Sequence, residues 1–275
     1  MEERYKFVFV VLIYKNVSVV KDFFLSLEKL SEYKVIVVNS FFDTTTEEEC
    51  ERLALSYKAD YISVENKGYG FGNNIGIQHA IDNYKFEYLV VSNSDIIIKK
   101  LDYLYDHHIE RAIISPNTVM KNGKRQNPCS PYLFFPYIYL LKKAYYQNSI
   151  ILARMSHIFN RLSIWFFFLI SIFNRKEKYD IFMGHGSFII FTYDVVILLN
   201  PIFNNNMFLY NEELYLGLKA RFNSIPIFFI PDLKVLHFEG ASAGDSYTNY
   251  KKLFKFYKSS FFEMMKESFV NKYIN

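Results

Sequence analysis

The sequence predicts an α/β fold: a mostly parallel central sheet flanked by helices, with a helical basic and aromatic insertion and a helical C-terminal tail. Three observations predict it. The first hundred residues alternate between short apolar runs and amphipathic segments, the βαβα order of a parallel sheet. The apolar runs are continuous rather than alternating, as strands buried on both faces require. Of 275 residues, 51% are hydrophobic and 22% charged, which suits one sizeable core and excludes a disordered chain.

The elements follow in order. Phe7–Tyr14 is an apolar strand, and Ser18 is placed to cap a helix carrying Val20, Phe23, Phe24, Leu27 and Leu30 at helical spacing. Lys34–Val38 reads as a second strand. Thr46 and Glu49 form a capping box for a helix through Tyr57. Tyr61–Val64 is a third strand, followed by a glycine-rich loop, a helix near Asn73–Tyr84 and a fourth strand at Glu87–Ser92. Further on, Ser187–Phe191 reads as a strand, Asp194–Leu199 and Glu212–Phe222 as helices, and Ile225–Ile230 and Lys234–His237 as two strands. The tail from Tyr250 is helical, with Leu253, Tyr257, Phe261, Met264 and Met265 on one broad face; docking on the domain, dimerisation and membrane contact are all open to it. The chain reads as a single domain over 1–275: a nucleotide-sugar half at 1–100, an acceptor half at 101–245 with an insertion at 134–178, and the tail at 246–275.

Charge and targeting narrow the function. A net charge of +4 is too small to argue for nucleic acid. Cys50 and Cys129 make neither a disulfide framework nor a metal-ligand spacing, which suits a reducing, cytoplasmic compartment. The first apolar run follows Glu2-Glu3 and lacks a small-residue cleavage site, unlike a signal peptide. The longest apolar stretch, Leu162–Phe173, rises about 18 Å as a helix, short of the roughly 30 Å hydrocarbon core, so a spanning helix is not expected. Residues 141–178 set seven Lys and Arg against the single acid Glu177, beside Trp165-Phe166-Phe167-Phe168. Basic residues among bulky apolars suit an interfacial helix on an anionic membrane; a packed helix with solvated charges is the plainer alternative.

In open α/β sheets, ligands bind beyond the carboxyl ends of the strands. Tyr14–Asn16, Asn39–Asp43, Asn66–Asn74 and Asn93–Asp95 all sit there. Asn93-Ser94-Asp95 directly follows an apolar strand, and a carboxylate so placed can hold a hard cation such as Mg²⁺ or Mn²⁺. The same residue type also makes turns and caps. Gly68, Gly70 and Gly72 let the backbone approach a ligand ahead of a helix N-terminus, though not at Walker A or dinucleotide spacing. Glu212-Glu213 opens a helix, where acids favour the dipole or serve as a general base. His237 ends a strand, as a structural histidine or a metal ligand.

In this order the pieces resemble a family 2 glycosyltransferase of the GT-A fold, of the rhamnosyltransferase-like group that builds bacterial surface polysaccharides. The carrying segments are Val10–Tyr14, Val37–Asp43, Asn66–Ile77, Asn93-Ser94-Asp95, His185–Phe188, Phe208–Glu213 and His237–Ser242. The resemblance implies transfer of a sugar, with inversion, from a UDP- or dTDP-sugar to a hydroxyl of a saccharide acceptor, lipid-linked, in O-antigen or capsule synthesis. It implies that Ile13, Tyr14, Asn39, Asp43, Asn66, Gly68, Tyr69, Asn73, Asn74, Asn93, Ser94 and Asp95 surround the donor. Asp95 and His237 would hold a divalent cation, Mg²⁺ or Mn²⁺. Glu213 would be the base with Glu212 beside it, and His185, Gly186 and Glu239 would face the acceptor. The cysteine content and the basic, aromatic insertion lead to the expectation of a cytoplasmic protein, peripheral on the inner face of the cell membrane. Four positions depart from the family pattern: Asn39 for Asp, Lys15 for Asn, Ser94 for Pro, and Glu213 for Asp. A sugar nucleotidyltransferase is the alternative enzyme, but Val10–Asn16 lacks its glycine-rich basic signature; an inactive membrane scaffold is the alternative outside enzymes.

Overall fold

The computed structural model describes residues 4–238 and 250–274. Glu239, expected on the acceptor side, lies outside the described residues, as do the last residues of the His237–Ser242 segment. The first half runs β1 (Arg4–Ile13), α1 (Val20–Ser26), β2 (Tyr33–Ser40), α2 (Thr44–Ser56), β3 (Asp60–Val64), α3 (Tyr69–Asn83) and β4 (Lys85–Asn93). The second runs β5 (Ile96–Lys100), α4 (Tyr103–Asp106), β6 (Ile113–Met120), α5 (Phe135–Tyr146), α6 (Ile150–Phe173), β7 (Tyr179–Ile181), β8 (Phe188–Thr192), α7 (Tyr193–Leu199), α8 (Glu212–Phe222), β9 (Ile227–His237), α9 (Tyr250–Met264) and α10 (Ser268–Ile274).

One sheet holds all these strands in the order β3-β2-β1-β4-β8-β6-β9-β5, with β7 on β9. Its first half is parallel, as expected: β3, β2, β1 and β4 pair in one direction. Its second half is mixed: β6 and β9 pair in parallel and keep that direction, while β8 runs against both β4 and β6, and β5 and β7 run against β9. The continuous apolar runs forecast burial on two faces, not direction. Helices α1 and α2 cover one face, around Phe9, Phe23 and Val37. Helices α3, α7 and α8 cover the other, around Val10, Ile77 and Leu216. A third cluster joins α5 and α8 to the C-terminal helices, so the tail docks on the domain through Phe254, Phe261 and Met264.

Several local expectations change. Ser18 caps nothing; its hydroxyl donates to Asn16, and α1 starts without a side-chain cap. Helix α2 is capped by Asp43, which accepts from the Thr46 N–H at 2.8 Å, because the cap lies one turn before Thr46. Helix α3 begins at Tyr69, so the expected glycine-rich loop is largely its first turn. The two strands expected at 225–237 are one strand, β9, in which residues 231–233 fall at a register shift opposite Pro116/Asn117. A shift tolerates the missing N–H of Pro231 and of Pro116.

Helix α6 is the largest departure. It spans 24 residues, about 36 Å at 1.5 Å per residue, rather than twelve. Ser149 caps it, accepting from the Leu152 N–H. Among the described residues it is the one helix long and apolar enough to cross a membrane by length and composition. Its packing is reversed relative to a soluble helix. Ala153, Ser156, Asn160 and Ser163 are buried, with Phe167. Ile158, Leu162, Trp165, Phe166 and Phe173 face outward, Trp165 at 64% and Phe173 at 84% exposure.

Candidate active site

The carboxyl ends of β1, β2 and β4 coincide, since Leu12 pairs with Asn93 and Ile13 with Asn39. A cavity of about 240 Å³ opens above them. Tyr14, Asn66, Gly68, Tyr69 and Asn93 line it, with Leu12, Ser40 and Phe208–Tyr210. Gly68 has φ +116°, and a side chain there would collide with the Phe208 backbone; the absence of one lets the Tyr69 N–H reach the Phe208 carbonyl at 2.9 Å. The start of α3 and the 207–211 segment are thereby locked together as one wall.

Other residues expected around the donor stand behind this surface. Ile13 is wholly buried, so its side chain is a packing group. Asn74 spends its amide on Phe203 and Asn205 and is structural. Asn39 is buried and donates to the Tyr61 hydroxyl, which leaves its Oδ1 without a partner. Asn73 donates to the Tyr69 carbonyl, and its Oδ1 is likewise unpartnered. Asp43 is exposed at the start of α2, where its hydrogen bond to Thr46 lowers its pKa. Ser94 is buried in the turn between β4 and β5. At the mouth, Lys15 stands over the Phe42 ring at 4.3 Å, with Tyr14 edge-on to the same ring.

Asp95, in the turn just before β5, and His237, at the end of the adjacent strand β9, are both buried. His237 Nδ1 meets Gln126 Oε1 at 2.8 Å. A carbonyl oxygen only accepts, so Nδ1 carries a proton, and in the neutral ring Nε2 turns a lone pair outward. That Nε2 is 3.2 Å from Asp95 Oδ1, yet the carboxylate oxygen accepts no hydrogen bond. With that ring neutral the two atoms face each other as acceptors, an arrangement that suits a cation between them. Ligands about 2.1 Å from an octahedral ion in neighbouring positions stand about 3.0 Å apart, so the spacing fits. No group of three or more His, Cys, Asp or Glu is arranged to hold a metal among the described residues, where Asp95 and His237 stand as a candidate pair of ligands.

The acid pair lies on the other side. Burial pushes the Glu212 carboxyl up, with Glu213 adding to it, and burial also raises Glu213. Glu212 is the deeper, with an unpartnered Oε1. Glu213 is the more accessible and accepts the Gly186 N–H at 3.1 Å. A side chain at Gly186 would stand 2.8 Å from that carboxylate, so glycine makes the contact. The Tyr69 hydroxyl donates to the Gly186 carbonyl at 2.7 Å, and burial with both glutamates raises that phenol well above its usual value. His185 connects the two groups. Burial, then His237, lowers its pKa to about 3, so it is neutral, and the two rings are 5.7 Å apart. Its Nδ1 accepts from the Ser187 N–H, which leaves the proton on Nε2.

Sequence reasoning missed the residues that hold these groups. Gln126 orients His237, and Asn127 Oδ1 accepts the His185 N–H at 2.6 Å; both lie just after β6, a strand the apolar pattern did not announce. Tyr210 and Asn211 have φ of 71° and 67°, a left-handed pair just before Glu212. Helix α9 straps them down: Asn211 donates to the Tyr257 carbonyl, Ser260 donates to the Leu209 carbonyl, and the Tyr210 and Tyr257 rings stack at 4.4 Å.

No protein-family model matches the chain. A curated relative, the low-salt glycan biosynthesis hexosyltransferase Agl10 of Haloferax volcanii, is 29% identical over 119 residues, 42% of this chain and 37% of its own length. The chain therefore matches well under half of that relative. Solved structures align over 85% of the chain. GalNAc-T7 with UDP, GalNAc and Mn²⁺ has a TM-score of 0.58 at 12% identity, with 44% of its chain covered. S. aureus TarS with UDP-GlcNAc has 0.52 at 14%, with 58% covered. The mannosyltransferase PcManGT of Pyrobaculum calidifontis with GDP-Man and Mn²⁺ has 0.52 at 14%, with 57% covered. The chain has the fold of the GT-A glycosyltransferases.

Proposed function

We propose that the protein is an inverting glycosyltransferase. It takes a sugar from a UDP- or dTDP-sugar to a hydroxyl of a lipid-linked saccharide, in bacterial surface-polysaccharide synthesis, and belongs to the rhamnosyltransferase-like group of family 2. The observation that carries the reading is the pairing of two unlike buried sites on one GT-A sheet: Asp95 facing His237, and Glu213 held by Gly186.

The 240 Å³ cavity takes the donor nucleotide against Tyr14, Asn66 and Asn93. The unpartnered Asn39 Oδ1 behind it can accept the N–H of a uracil or thymine edge. Asp95 and His237 would hold a divalent cation, Mg²⁺ or Mn²⁺; the structures of GalNAc-T7 and PcManGT contain Mn²⁺. That cation supplies neutralisation of the leaving diphosphate. Gln126 keeps the His237 lone pair aimed at the site. Glu213 removes the proton from the attacking hydroxyl, and burial raises its carboxyl above the usual carboxylate range, which makes it a better proton acceptor. The charge of Glu213 in turn adds to the burial that raises the second carboxyl, Glu212. Neutral His185 and Gly186 face the acceptor.

Helix α6 supports the membrane part of the reading, on the inner face of the cell membrane. Its small and polar residues face the protein and its large apolar residues face away, the arrangement of a helix solvated by lipid. It packs on the domain from Ala153 to Phe167, and Asn160 bonds both the Ser130 hydroxyl and the Cys129 carbonyl. A helix fastened along its length lies in the membrane surface rather than across it.

The first test is a panel of nucleotide sugars screened for thermal stabilisation with Mn²⁺, followed by donor hydrolysis. Asp95→Ala is expected to lose Mn²⁺-dependent stabilisation by UDP or dTDP by at least the roughly 10–100-fold that losing even an outer support of a metal site costs. Unchanged nucleotide affinity with Mn²⁺ would remove Asp95 from this role, and wild-type protein without hydrolysis or transfer would favour the scaffold reading.

A further inference from the structure

We propose that a separate cavity beside the C-terminal half of α6 binds the phosphate of a lipid-linked acceptor between Arg125 and Arg175. The inference rests on the reading of α6 as a membrane-surface helix. The cavity measures about 230 Å³, and its walls include Arg125, Arg175, Asn117, Phe168, Ile172 and Tyr179. Among the described residues, no carboxylate lines it. Neither guanidinium has an ion-pair partner among the described residues. Arg125 lies over the Phe168 ring at 5.3 Å. A cation–ring contact of that kind uses none of the guanidinium's N–H donors in a hydrogen bond to an oxygen and leaves them for an anion. Asn117 adds a buried Oδ1 without a partner, which a hydroxyl of a bound headgroup can satisfy.

The surroundings select a phosphate that carries an apolar tail. Phe168, Ile172 and Phe229 form much of the wall, and Leu169, Ile170, Ile172 and Phe173 continue the apolar surface along α6. A free anion gains nothing from those groups; a prenyl chain does. The cavity also adjoins the chemistry along the chain. Arg125 directly precedes Gln126, which holds His237, and Asn127, which holds His185. An acceptor anchored there by its phosphate has its tail on α6 and its saccharide towards the strand ends.

Trp165, the single tryptophan, lies one turn before Phe168 and reports on this surface without any assay of activity. The experiment titrates farnesyl phosphate, farnesol and inorganic phosphate below micellar concentrations and follows Trp165 emission. Farnesyl phosphate is expected to saturate, at least about tenfold tighter than farnesol, because charge-assisted contacts to an anion are strong. Arg125→Gln with Arg175→Gln is expected to erase that preference while Mn²⁺-dependent stabilisation by UDP is kept, which shows the variant is folded. If the double variant does not fold, Arg125→Lys with Arg175→Lys keeps charge, loses the planar fork, and is expected to weaken the preference several-fold. Equal binding of farnesol and farnesyl phosphate, an undiminished preference in the variants, or displacement of the lipid by equimolar inorganic phosphate overturns the proposal. Vesicles of phosphatidylcholine and phosphatidylglycerol separate it from the reading beneath it. Wild-type binding to vesicles without farnesyl phosphate selectivity sinks the cavity alone, and selectivity without vesicle binding sinks the membrane reading alone.

Discussion

Helices α3 and α6 both press a seam of small residues onto the domain, and their outer faces are opposite. In α3, Gly72, Gly76 and Ala80 are buried, and Gly76 lies so close to Val10 and Val38 that a methyl group there would collide with both. Its outer face carries Gln78, Asp82 and Asn83, exposed to water. In α6, Ala153, Ser156 and Ser163 play the part of the small seam, but the outer face is Ile151, Ile158, Leu162, Trp165 and Phe166. A small seam only says that a helix approaches closely. The outer face says what it is bathed in. A stripe of this size left in water invites association, so a second apolar phase is the natural occupant.

The comparison implies a division of labour, and the sharpest way to break it is to remove the chemistry and ask whether membrane contact survives. Glu213→Gln keeps shape and loses the base, so turnover is expected to fall about 10²–10⁴-fold. Donor binding and vesicle binding should both persist. Near-normal transfer in Glu213→Gln with a dead Glu212→Gln would move the base one residue back. Near-normal transfer in both would take the pair out of catalysis.

The converse change belongs to α6. Withdrawing one large apolar side chain from water is worth about 1.5–3 kcal/mol, so Trp165→Ser with Phe166→Ser should weaken vesicle binding at least about tenfold. Transfer to a water-soluble acceptor should be unchanged. Replacing the Lys and Arg of 141–178 by Gln should remove the salt-sensitive part of binding. Equal partitioning of that variant and wild type would sink the electrostatic contribution. A doubled mass in sedimentation that the serine variants abolish, without vesicle binding, would give the apolar face to a second copy of the chain instead.

Legibility in the sequence follows the same division. Around α3 the pattern was readable because strands and helices there are bounded by local signals: apolar runs, glycines, and polar caps. The residues at the β1, β2 and β4 ends could be named from it, although Asn74 and Ile13 turn out to serve the framework. In the second half the signals fail for physical reasons. Strand β6 contains Pro116 and Asn117, tolerated at a register shift that only the neighbour β9 reveals. Helix α6 reads as a short apolar stretch because its N-terminal half is amphipathic in reverse, with Ser156 and Asn160 facing inward. The strap of α9 on Tyr210 and Asn211 joins segments 46 residues apart, which local pattern does not show.

That strap gives an intermediate effect. Tyr257→Ala removes the ring stacked on Tyr210, which helps hold the left-handed turn before the acid pair. Left-handed backbone at non-glycine residues costs of order 1–3 kcal/mol each and persists where surroundings impose it. Turnover is expected to fall several-fold with donor KM little changed, and Tyr257→Phe should restore it, since the contact is with the ring. Equal losses in Ala and Phe would mean that the hydroxyl, not the stack, matters.

The smallest effect tests what the two regions share: each keeps a group where folding alone would not. On α6 it is apolar surface outside; at the sheet edge it is acid inside. Burial raises the Glu212 and Glu213 carboxyls above the usual 4.5, so the folded protein binds protons that the unfolded chain releases. The sign follows from linkage. Stability from this source is full below about pH 4.5, and it is lost as pH rises through the raised values, because the unfolded state then holds fewer protons than the folded one. Lowered groups such as Asp60, whose Lys34 contact favours its charge, act with the opposite sign and only at the acid end. The useful quantity is therefore the difference in Tm between Glu212→Gln and wild type, followed from pH 5 to pH 9. It should grow steadily in favour of the variant by a few degrees, since about 1 kcal/mol moves Tm by roughly 2–4 °C in a chain of this size. A difference that stays flat over that range would mean the pair is not strained by its burial, and an acid pair without strain would have no stored tendency to take up a proton from an acceptor.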